Sequence, residues 1–428
     1  MNNIEVPALA RVEGEGGLYI GIKNGKITEV RLDIYEPPRF FEGFLRDRYF
    51  QEVPDITARI CGICPVAYQM SSAYALESAL NVTVSPPVRA LRRLMYCAEY
   101  IESHALHIYL LQAPDLLGKE SALELAAIAP DVVKDALRMK KIGNEVLKAI
   151  GGRSVHPVNV CVGGFYRWPD VAPLKELLPE LEWGLEAARE TVRWSKTLPY
   201  PDLEVDYEFV ALHHPDEYGV IEGEVLSSNG RKTPISEFEK SYIEDHIRHS
   251  NALHSHTVDG NPYLVGPISR LNLNHEQLMP VAKEALKESG LVLPLRNPYK
   301  SLIARAVELV HCYAEAIQLI QAYQPEGPAH AEITIQAGEG WGATEAPRGL
   351  LYHRYAVDNA GRIQQARIVP PTAQNLPRIE ADLVKLAPKI LSMEHAAATL
   401  TAEHLVRSYD PCISCATHFL KLKVEEVK

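Results

Sequence analysis

The chain has 428 residues, of which 46% are hydrophobic and 23% are charged, a balance that fits a globular protein with a sizeable core. Its formal net charge is −11, and no basic stripe accompanies aromatic residues, so a nucleic-acid partner is not expected. No apolar run is long enough for a membrane span and the first residues lack a secretory signal, which predicts a cytoplasmic protein.

The chain begins with a predicted β-hairpin. Apolar residues alternate on both sides of Asn24-Gly25, a dipeptide typical of two-residue hairpin turns. Just before the hairpin lies Arg11-Val-Glu13-Gly, whose glycines do not form a dinucleotide-binding pattern because no βαβ unit follows. By residue type alone, Glu13 is a surface carboxylate.

The first Cys-x-x-Cys motif lies in Arg59-Ile-Cys61-Gly-Ile-Cys64-Pro65 and is followed by a run of helix-forming residues. Proline in the first turn is typical of a helix start. The cysteine pair is therefore predicted at a helix N-terminus, where the helix dipole and free amides favour thiolates.

The middle of the chain is predicted to be mostly helical. Between residues 87 and 150, apolar side chains recur at spacings of three and four, and Pro114-Asp115 ends the first helix. His104 and His107 lie on one flank of that helix. They could ligate a metal, although histidines in apolar helices are more often satisfied by hydrogen bonds.

Later segments complete a fold that we predict to be mainly α with peripheral antiparallel β (α+β) and no internal repeat. His249, His254 and His256 form a cluster that could hold a metal ion, but a polar loop is an equally good interpretation. The predicted helices are 122–150, 173–198, 236–250, 277–290, 298–323 and 376–407, and the predicted β segments are 204–220, 331–335 and 352–368.

The second Cys-x-x-Cys motif, in Asp410-Pro-Cys412-Ile-Ser-Cys415-Ala-Thr-His418, lies near the other end of the chain. Two such pairs can surround one soft metal ion with four thiolates. The long segment between them is no obstacle, because loop-closure entropy grows only logarithmically with length. The remaining cysteines are expected to be inert core thiols: Cys97, Cys161 and Cys312.

Three interpretations of the four cysteines compete on residue type and spacing. A structural zinc site usually has its pairs within about 15–20 residues of each other, unlike this chain. A dithiol redox protein needs one pair near a βαβ pattern, which is missing. The third interpretation is a catalytic site that uses thiolates to hold nickel or iron.

The two motifs resemble the signatures of the large, catalytic subunit of nickel–iron hydrogenases, and the resemblance covers essentially the whole chain. It is strongest to the sulfhydrogenase-like, NADP-linked branch. The resemblance implies a central bundle of long helices and reversible heterolytic cleavage of H2 at a nickel–iron centre whose iron carries CO and cyanide. Shorter stretches fit as well: Arg11-Val-Glu13-Gly, Phe41-Glu42, Ser103-His-Ala-Leu-His107, Glu345-Ala-Pro-Arg348-Gly and Pro371-Thr372-Ala-Gln-Asn375.

The resemblance also implies the ligands of the metal centre. All four cysteines bind nickel, and the second of each pair, Cys64 and Cys415, also bridges to iron. A separate magnesium or iron ion is expected at three other residues: Glu42, Ile368 through its carbonyl, and His418.

Roles around the centre follow from the same resemblance. Glu13 is expected to carry protons away, and Arg348 to lie over the open coordination position. Thr372 is expected to donate to a cyanide. The remaining candidates are Pro347, Asp410 and Asp115, which surround Arg348, and His104 among the cofactor-binding residues.

The resemblance finally implies partners and processing. The chain has no further cysteines suited to an iron–sulfur cluster, so an iron–sulfur small subunit is expected, with flavin and nicotinamide chemistry on other subunits. Residues 1–418 are expected to form a single unit, and residues 419–428 to be an extension removed by a maturation endopeptidase. The rival is a zinc-stapled scaffold subunit related to the respiratory-complex fold.

Overall fold

The structure, a computed structural model, describes residues 3–418. The predicted extension, residues 419–428, lies outside the described residues. The helices are α1 (Phe41–Phe44), α2 (Val53–Thr57), α3 (Pro65–Leu80), α4 (Pro86–Leu106), α5 (Ala113–Leu116), α6 (Ala122–Ile128), α7 (Pro130–Gly151), α8 (Val171–Glu176), α9 (Leu178–Ser195), α10 (Phe238–Ser241), α11 (Pro267–Asn274), α12 (Pro280–Ser289), α13 (Ser301–Ala322), α14 (Pro371–Ile390), α15 (His395–Ser408) and α16 (Ile413–Ala416).

The strands are short and pair antiparallel in five small sheets within residues 3–418. They are β1 (Ile4–Val6), β2 (Gly16–Lys23), β3 (Lys26–Ile34), β4 (Val160–Cys161), β5 (Gly164–Phe165), β6 (Val210–His213), β7 (Glu224–Ser227), β8 (Lys232–Thr233), β9 (Tyr242–His246), β10 (Leu253–Thr257), β11 (Gly338–Ala346), β12 (Gly349–Val357) and β13 (Ile363–Val369). The predicted first hairpin is confirmed, since β2 and β3 pair Lys23 with Lys26 across the Asn24-Gly25 turn.

Long helices form the centre of the molecule. Helix α4 packs against α7 and α13, and α13 packs against α9. The apolar stripe predicted in α4 is buried, including Leu91, Leu94 and Ile101. Helix α13 is buried along most of its length. The mainly α fold with peripheral antiparallel β, built on a bundle of long helices, is therefore confirmed.

Several predicted boundaries differ from the structure because of local chemistry. The helix predicted over 122–150 is divided at Pro130, where α7 begins, since proline cannot continue the preceding helix. The helix predicted over 376–407 is two helices, α14 and α15. A π-helical turn at His107–Gln112 joins α4 to α5, so the helix predicted to end at Pro114 changes its winding before it ends.

Three predicted segments differ from the structure. Within residues 236–250, the end of a 3₁₀ turn (Ile235–Glu237) leads into the single α-helical turn α10, and strand β9 follows and pairs with β10. Tertiary pairing and the stacking of Phe238 on Tyr242 and Tyr352 override the local helix propensity. Residues 331–335, predicted as β, form no strand, and of residues 204–220 only Val210–His213 are a strand.

Helix α3 lies directly against strand β11. Gly342 makes this close approach possible, because a Cβ atom there would lie 2.5 Å from the backbone oxygen of Ser71 and 2.6 Å from the amide nitrogen of Ala75. A Cβ atom at Gly340 would likewise clash with the backbone of Ala75 and Ala79. The helix that follows Cys64 is thus fixed by backbone contact with a strand.

No helix within residues 3–418 combines the length and apolarity that crossing a membrane requires.

Candidate metal centre

The structure brings the four motif cysteines into one buried cluster. Cys61 and Cys64 come from the turn before α3, and Cys412 and Cys415 flank or lie in α16. The Cys61 and Cys412 sulfurs are 3.6 Å apart, the Cys412 and Cys415 sulfurs are 2.6 Å apart, and all four lie within 4.8 Å of one another. Four soft donors at this spacing fit one thiolate-bound transition metal.

Burial and mutual contact set the charge of these thiols. Hydrogen bonds from Cys412 and Cys415 lower the pKa of the Cys61 thiol well below its ordinary value. Burial raises the pKa of the Cys412 thiol well above its ordinary value. Four buried sulfurs cannot all be anionic without a compensating cation, so the cluster is electrostatically suited to a metal.

The two cysteine turns are tied together by residues far away in sequence. The Arg39 guanidinium donates to the backbone oxygens of Ile60, at 2.7 Å, and Ser414. The amide of Ile413 donates to the backbone oxygen of Glu13 at 2.9 Å. The N-terminal segment and the turn before α1 therefore clamp the C-terminal cysteine pair onto the rest of the molecule.

Glu13 contacts the cluster directly. Its Oε2 accepts a hydrogen bond from the Cys412 thiol at 3.0 Å and another from the Ser414 amide at 3.1 Å. The residue is only partly buried. The side chain therefore reaches from the sulfur cluster toward the outside of the subunit.

Arg348 is buried beside the cysteines and is held by Asp410. Its Nε donates to the Asp410 backbone oxygen at 2.9 Å and its Nη2 to Asp410 Oδ1 at 3.0 Å, while Nη1 has no hydrogen-bond partner among residues 3–418. Burial acts to lower the pKa of Arg348, but Asp410 and the sulfurs of Cys412, Cys64 and Cys61 outweigh it and raise that pKa well above its ordinary value. Arg348 is therefore a permanent cation, and its Nη1 nitrogen is an unpaired donor among residues 3–418.

The β11–β12 turn presents Arg348. Ala346 and Gly349 pair across it, and Gly349, at φ +135°, lies against Gly266 so closely that a Cβ atom would be 2.8 Å from the Gly266 amide. The Pro347 carbonyl, which precedes Arg348, accepts a hydrogen bond from Arg270 at 2.9 Å. Arg270 is itself buried between two carboxylates, so the turn is anchored to the helix bundle.

Two sequence-predicted residues contact other groups. Both oxygens of Asp115 are engaged by arginines, Oδ2 by Arg407 at 2.7 Å and Oδ1 by Arg11 and Arg407. Its described contacts do not include Arg348. His104 pairs through Nε2 with Glu308 at 2.8 Å, within the same buried network as Arg270, and not with any of the four cysteines.

Thr372 lies in the first turn of α14 and is buried. Its Oγ1 accepts a hydrogen bond from the Cys412 amide at 2.9 Å. The hydroxyl hydrogen is therefore free to point elsewhere, which leaves Thr372 one donor beside the sulfur cluster.

The three residues predicted for a second ion are also gathered together. The Ile368 amide donates to Glu42 Oε1 at 2.9 Å, and the Ile368 carbonyl lies 2.7 Å from His418 Nε2. The other ring nitrogen of His418 contacts the Cys415 backbone oxygen. All three residues are buried, and burial lowers the pKa of His418, which favours the neutral imidazole. A carboxylate, a carbonyl and an imidazole suit a hard or borderline cation.

Sequence reasoning missed two residues at the centre. Tyr68 is buried four positions after Cys64, and burial, followed by the charges of Cys415 and Cys64, raises the pKa of its hydroxyl well above the ordinary value. Spacing of four on a helix could have revealed it, because such residues share one face. Nothing local in the sequence marks Arg39, whose role depends on the distant Ser414.

Known proteins of one family are similar to this chain in sequence and in fold. The family model described as nickel-dependent hydrogenase matches residues 39–132 and 253–418. A crystal structure of an NAD+-reducing [NiFe]-hydrogenase in the H2-reduced state superposes with a TM-score of 0.86 at 25% identity, covering 98% of this chain and 100% of the other.

The chain belongs to the nickel-dependent hydrogenase family, as a large subunit of that family. Among its relatives are two alpha subunits from Pyrococcus furiosus. Sulfhydrogenase 1 subunit alpha is 35% identical, with 99% of this chain and 100% of the relative covered, and sulfhydrogenase 2 subunit alpha is 34% identical, with 98% and 100% covered. The predicted resemblance to the sulfhydrogenase-like branch is confirmed.

Proposed function

We propose that this chain is the catalytic subunit of a nickel–iron hydrogenase that cleaves H2 reversibly and heterolytically and passes the electrons to a partner subunit. One observation carries the proposal: four buried thiols meet at one point, with the carboxylate of Glu13 3.0 Å from one of them. Heterolytic cleavage needs a metal site and an adjacent base, and this arrangement offers both.

The four thiols would hold the metal centre. In this proposal Cys61, Cys64, Cys412 and Cys415 would bind nickel, and Cys64 and Cys415 would also contribute to holding an iron that carries CO and cyanide. When bound, the centre supplies the acceptor for the electron pair of H2. The thiolates keep it electron-rich because sulfur is a soft, polarisable donor.

Glu13 would remove the proton. Its Oε2 already accepts a hydrogen bond from the Cys412 thiol, so a proton on that sulfur can pass to the carboxylate without reorganisation of the chain. The partial exposure of Glu13 gives the proton an exit from the buried cluster.

Arg348 and Asp410 would form the wall over the open metal position, with Pro347 beside them. The free Nη1 donor of Arg348 can polarise H2 or hold a cyanide nitrogen, and Asp410 orients the guanidinium. Thr372 would donate its free hydroxyl hydrogen to the other cyanide. Asp115 acts through Arg407, and His104 through the Glu308 network, so both would be positioning residues.

Glu42, the Ile368 carbonyl and His418 would bind a second ion, magnesium or iron. The contact between His418 Nε2 and the Ile368 carbonyl supports this proposal, because a cation can replace the proton that these two atoms share. Glu42 is held beside them by the Ile368 amide. The ion would fix the C-terminal end of the described chain next to Cys415.

The relatives are named as alpha subunits of hydrogenases, which implies a multi-subunit enzyme. We propose a small subunit with iron–sulfur clusters as the direct electron acceptor, and flavin and nicotinamide chemistry on further subunits in the cytoplasm. Residues 1–418 would act as one unit, and a maturation endopeptidase would remove residues 419–428. A zinc-stapled scaffold is disfavoured, because the matching family is nickel-dependent.

Substitution of Glu13 separates proton transfer from metal binding. In the purified complex, Glu13→Gln keeps an oxygen that can accept from the Ser414 amide but cannot take a proton at neutral pH. We expect nickel and iron contents equal to wild type and H/D exchange reduced by a factor of about 10²–10⁴.

Glu13→Asp is the matched control, since it retains the acid on a shorter side chain and should recover part of the exchange. Wild-type exchange rates in Glu13→Gln would contradict the proton role. Zinc without nickel in the wild-type protein would contradict the hydrogenase itself.

A further inference from the structure

A second group of metal-ligating side chains lies outside the thiolate centre. His249 is in the turn between β9 and β10, His254 is in β10, and Glu380 is in α14. The His249 Nε2 is 2.9 Å from Glu380 Oε1, and the His254 Nδ1 is 3.8 Å from Glu380 Oε2. One ligand atom from each residue lies within 4.8 Å of the others.

These separations are close to those that a metal ion imposes. Ligand atoms about 2.0–2.1 Å from a tetrahedral ion are about 3.4 Å apart. The observed 2.9 Å and 3.8 Å, each from one imidazole to a different oxygen of Glu380, lie on either side of that value, so an ion held by either ring would be within reach of the carboxylate.

His254 is buried, and its nearest approach to Glu380, 3.8 Å, is too long for a hydrogen bond. The Nε2 of His254 is buried and has no hydrogen-bond partner among residues 3–418. The hydrogen bond between His249 and Glu380 is enough to join the β9–β10 turn to α14. That structural role does not account for the second imidazole, His254, which is buried beside these two residues. A cation shared by both rings and the carboxylate would give this buried imidazole a bond through Nδ1, the ring nitrogen that faces Glu380.

The backbone around the group is already fixed. The amide of Leu32, in β3, donates to Glu380 Oε1 at 2.9 Å. The amide of Asn251 donates to the Ile34 oxygen at 2.7 Å and holds the β9–β10 turn against the same strand. Binding an ion would therefore order few additional groups, which lowers its entropic cost.

We propose that His249, His254 and Glu380 form a binding site for a divalent transition metal, with Zn²⁺ as its ion and water as the fourth ligand. Two imidazoles and one carboxylate favour zinc over magnesium or calcium, which prefer all-oxygen sites. The side chains of His249 and Glu380 are 27% and 18% exposed, so solvent reaches the open position. The ion would join three elements and stiffen α14, whose first turn holds Thr372.

The test uses the intact, untagged hydrogenase complex, stripped of loosely bound metal with a chelator. Zn²⁺ is titrated by calorimetry, and Co²⁺ serves as a visible-absorption probe, for wild type, His249→Ala, Glu380→Gln and His256→Ala. His256 is the matched control. It lies in β10 with His254, but its ring contacts Asp245 and the Thr257 carbonyl.

We expect wild type and His256→Ala to bind one Zn²⁺ beyond the nickel–iron complement, and the other two variants to bind it at least tenfold more weakly. Nickel content reports whether each variant is folded. X-ray absorption at the zinc edge of the wild-type protein, which needs no variant, should show nitrogen and oxygen neighbours at about 2.0 Å and no sulfur.

Equal zinc affinity in all four proteins would overturn the proposal. A sulfur shell around zinc would do so as well, because it would place the ion in the cysteine cluster.

Discussion

Adding a single methyl group at Gly342 should move the helix that carries half of the metal centre. In Gly342→Ala the new Cβ would lie 2.5 Å from the Ser71 oxygen, whereas ordinary contacts begin at 3.4 Å, so α3 and β11 must separate by about 0.9 Å. Both groups that the methyl meets are backbone atoms, so no side-chain rotation relieves the clash.

The expected effect has a stability part and an activity part. Overpacking of this kind costs about 1–3 kcal/mol of unfolding free energy. Ser71 lies only about 10 Å along α3 from Cys64. The displacement at the helix start should therefore be about as large as the displacement at Ser71. A misplacement of about 1 Å at a reacting centre can lower turnover about 10²-fold.

The assay is H2 oxidation per bound nickel in the purified complex, measured beside thermal unfolding. Gly340→Ala is the comparison variant, since it clashes with Ala75 and Ala79 at the far end of α3. We expect Gly340→Ala to lose at least as much stability but less turnover per nickel. Wild-type turnover in Gly342→Ala would show that the position of α3 does not control the metal centre. A larger loss of turnover in Gly340→Ala than in Gly342→Ala would show the same.

Two further predictions concern the clamp and the buried carboxylates. Arg39→Met removes the donors to the Ile60 and Ser414 backbone oxygens. We expect a chelator to remove nickel at least tenfold faster from this variant, as followed by elemental analysis. An unchanged rate of nickel release would show that the clamp is dispensable. Burial raises the pKa of Glu345 to about 7 from 4.5, partly opposed by Arg270. Because the folded protein holds this proton where the unfolded chain releases it, stability should fall by on the order of 3 kcal/mol as pH rises from about 4.5 to about 7. Thermal unfolding of Glu345→Gln should lack this component, and an identical pH profile in both proteins would contradict the assignment.

The sequence revealed the features whose chemistry is local. The Asn24-Gly25 hairpin, the helix that starts at Pro65 and the soft-metal character of the two Cys-x-x-Cys motifs each depend on a few adjacent residues. The meeting of the motifs was expected from chemistry, because four thiols with such spacing have few other uses in a large globular chain.

Features that depend on docking between distant elements were not accessible. Residues 236–250 have helix-forming composition, yet pairing with β10 makes Tyr242–His246 a strand. Asp115 binds Arg407, a partner that depends on the approach of α15. Residues 236–250 and Asp115 do not by themselves indicate which distant element will pack against them.

The distribution of the cysteines also has a consequence in time. Cys61 and Cys412 touch in the folded protein but are 351 positions apart in the chain. At a synthesis rate of about 5–20 residues per second, the second pair leaves the ribosome about 20–70 s after the first. Helix α3 can form early, and for that interval its two cysteines have no C-terminal partners. The four-sulfur site can therefore close around a metal only after Cys412 and Cys415 have also left the ribosome.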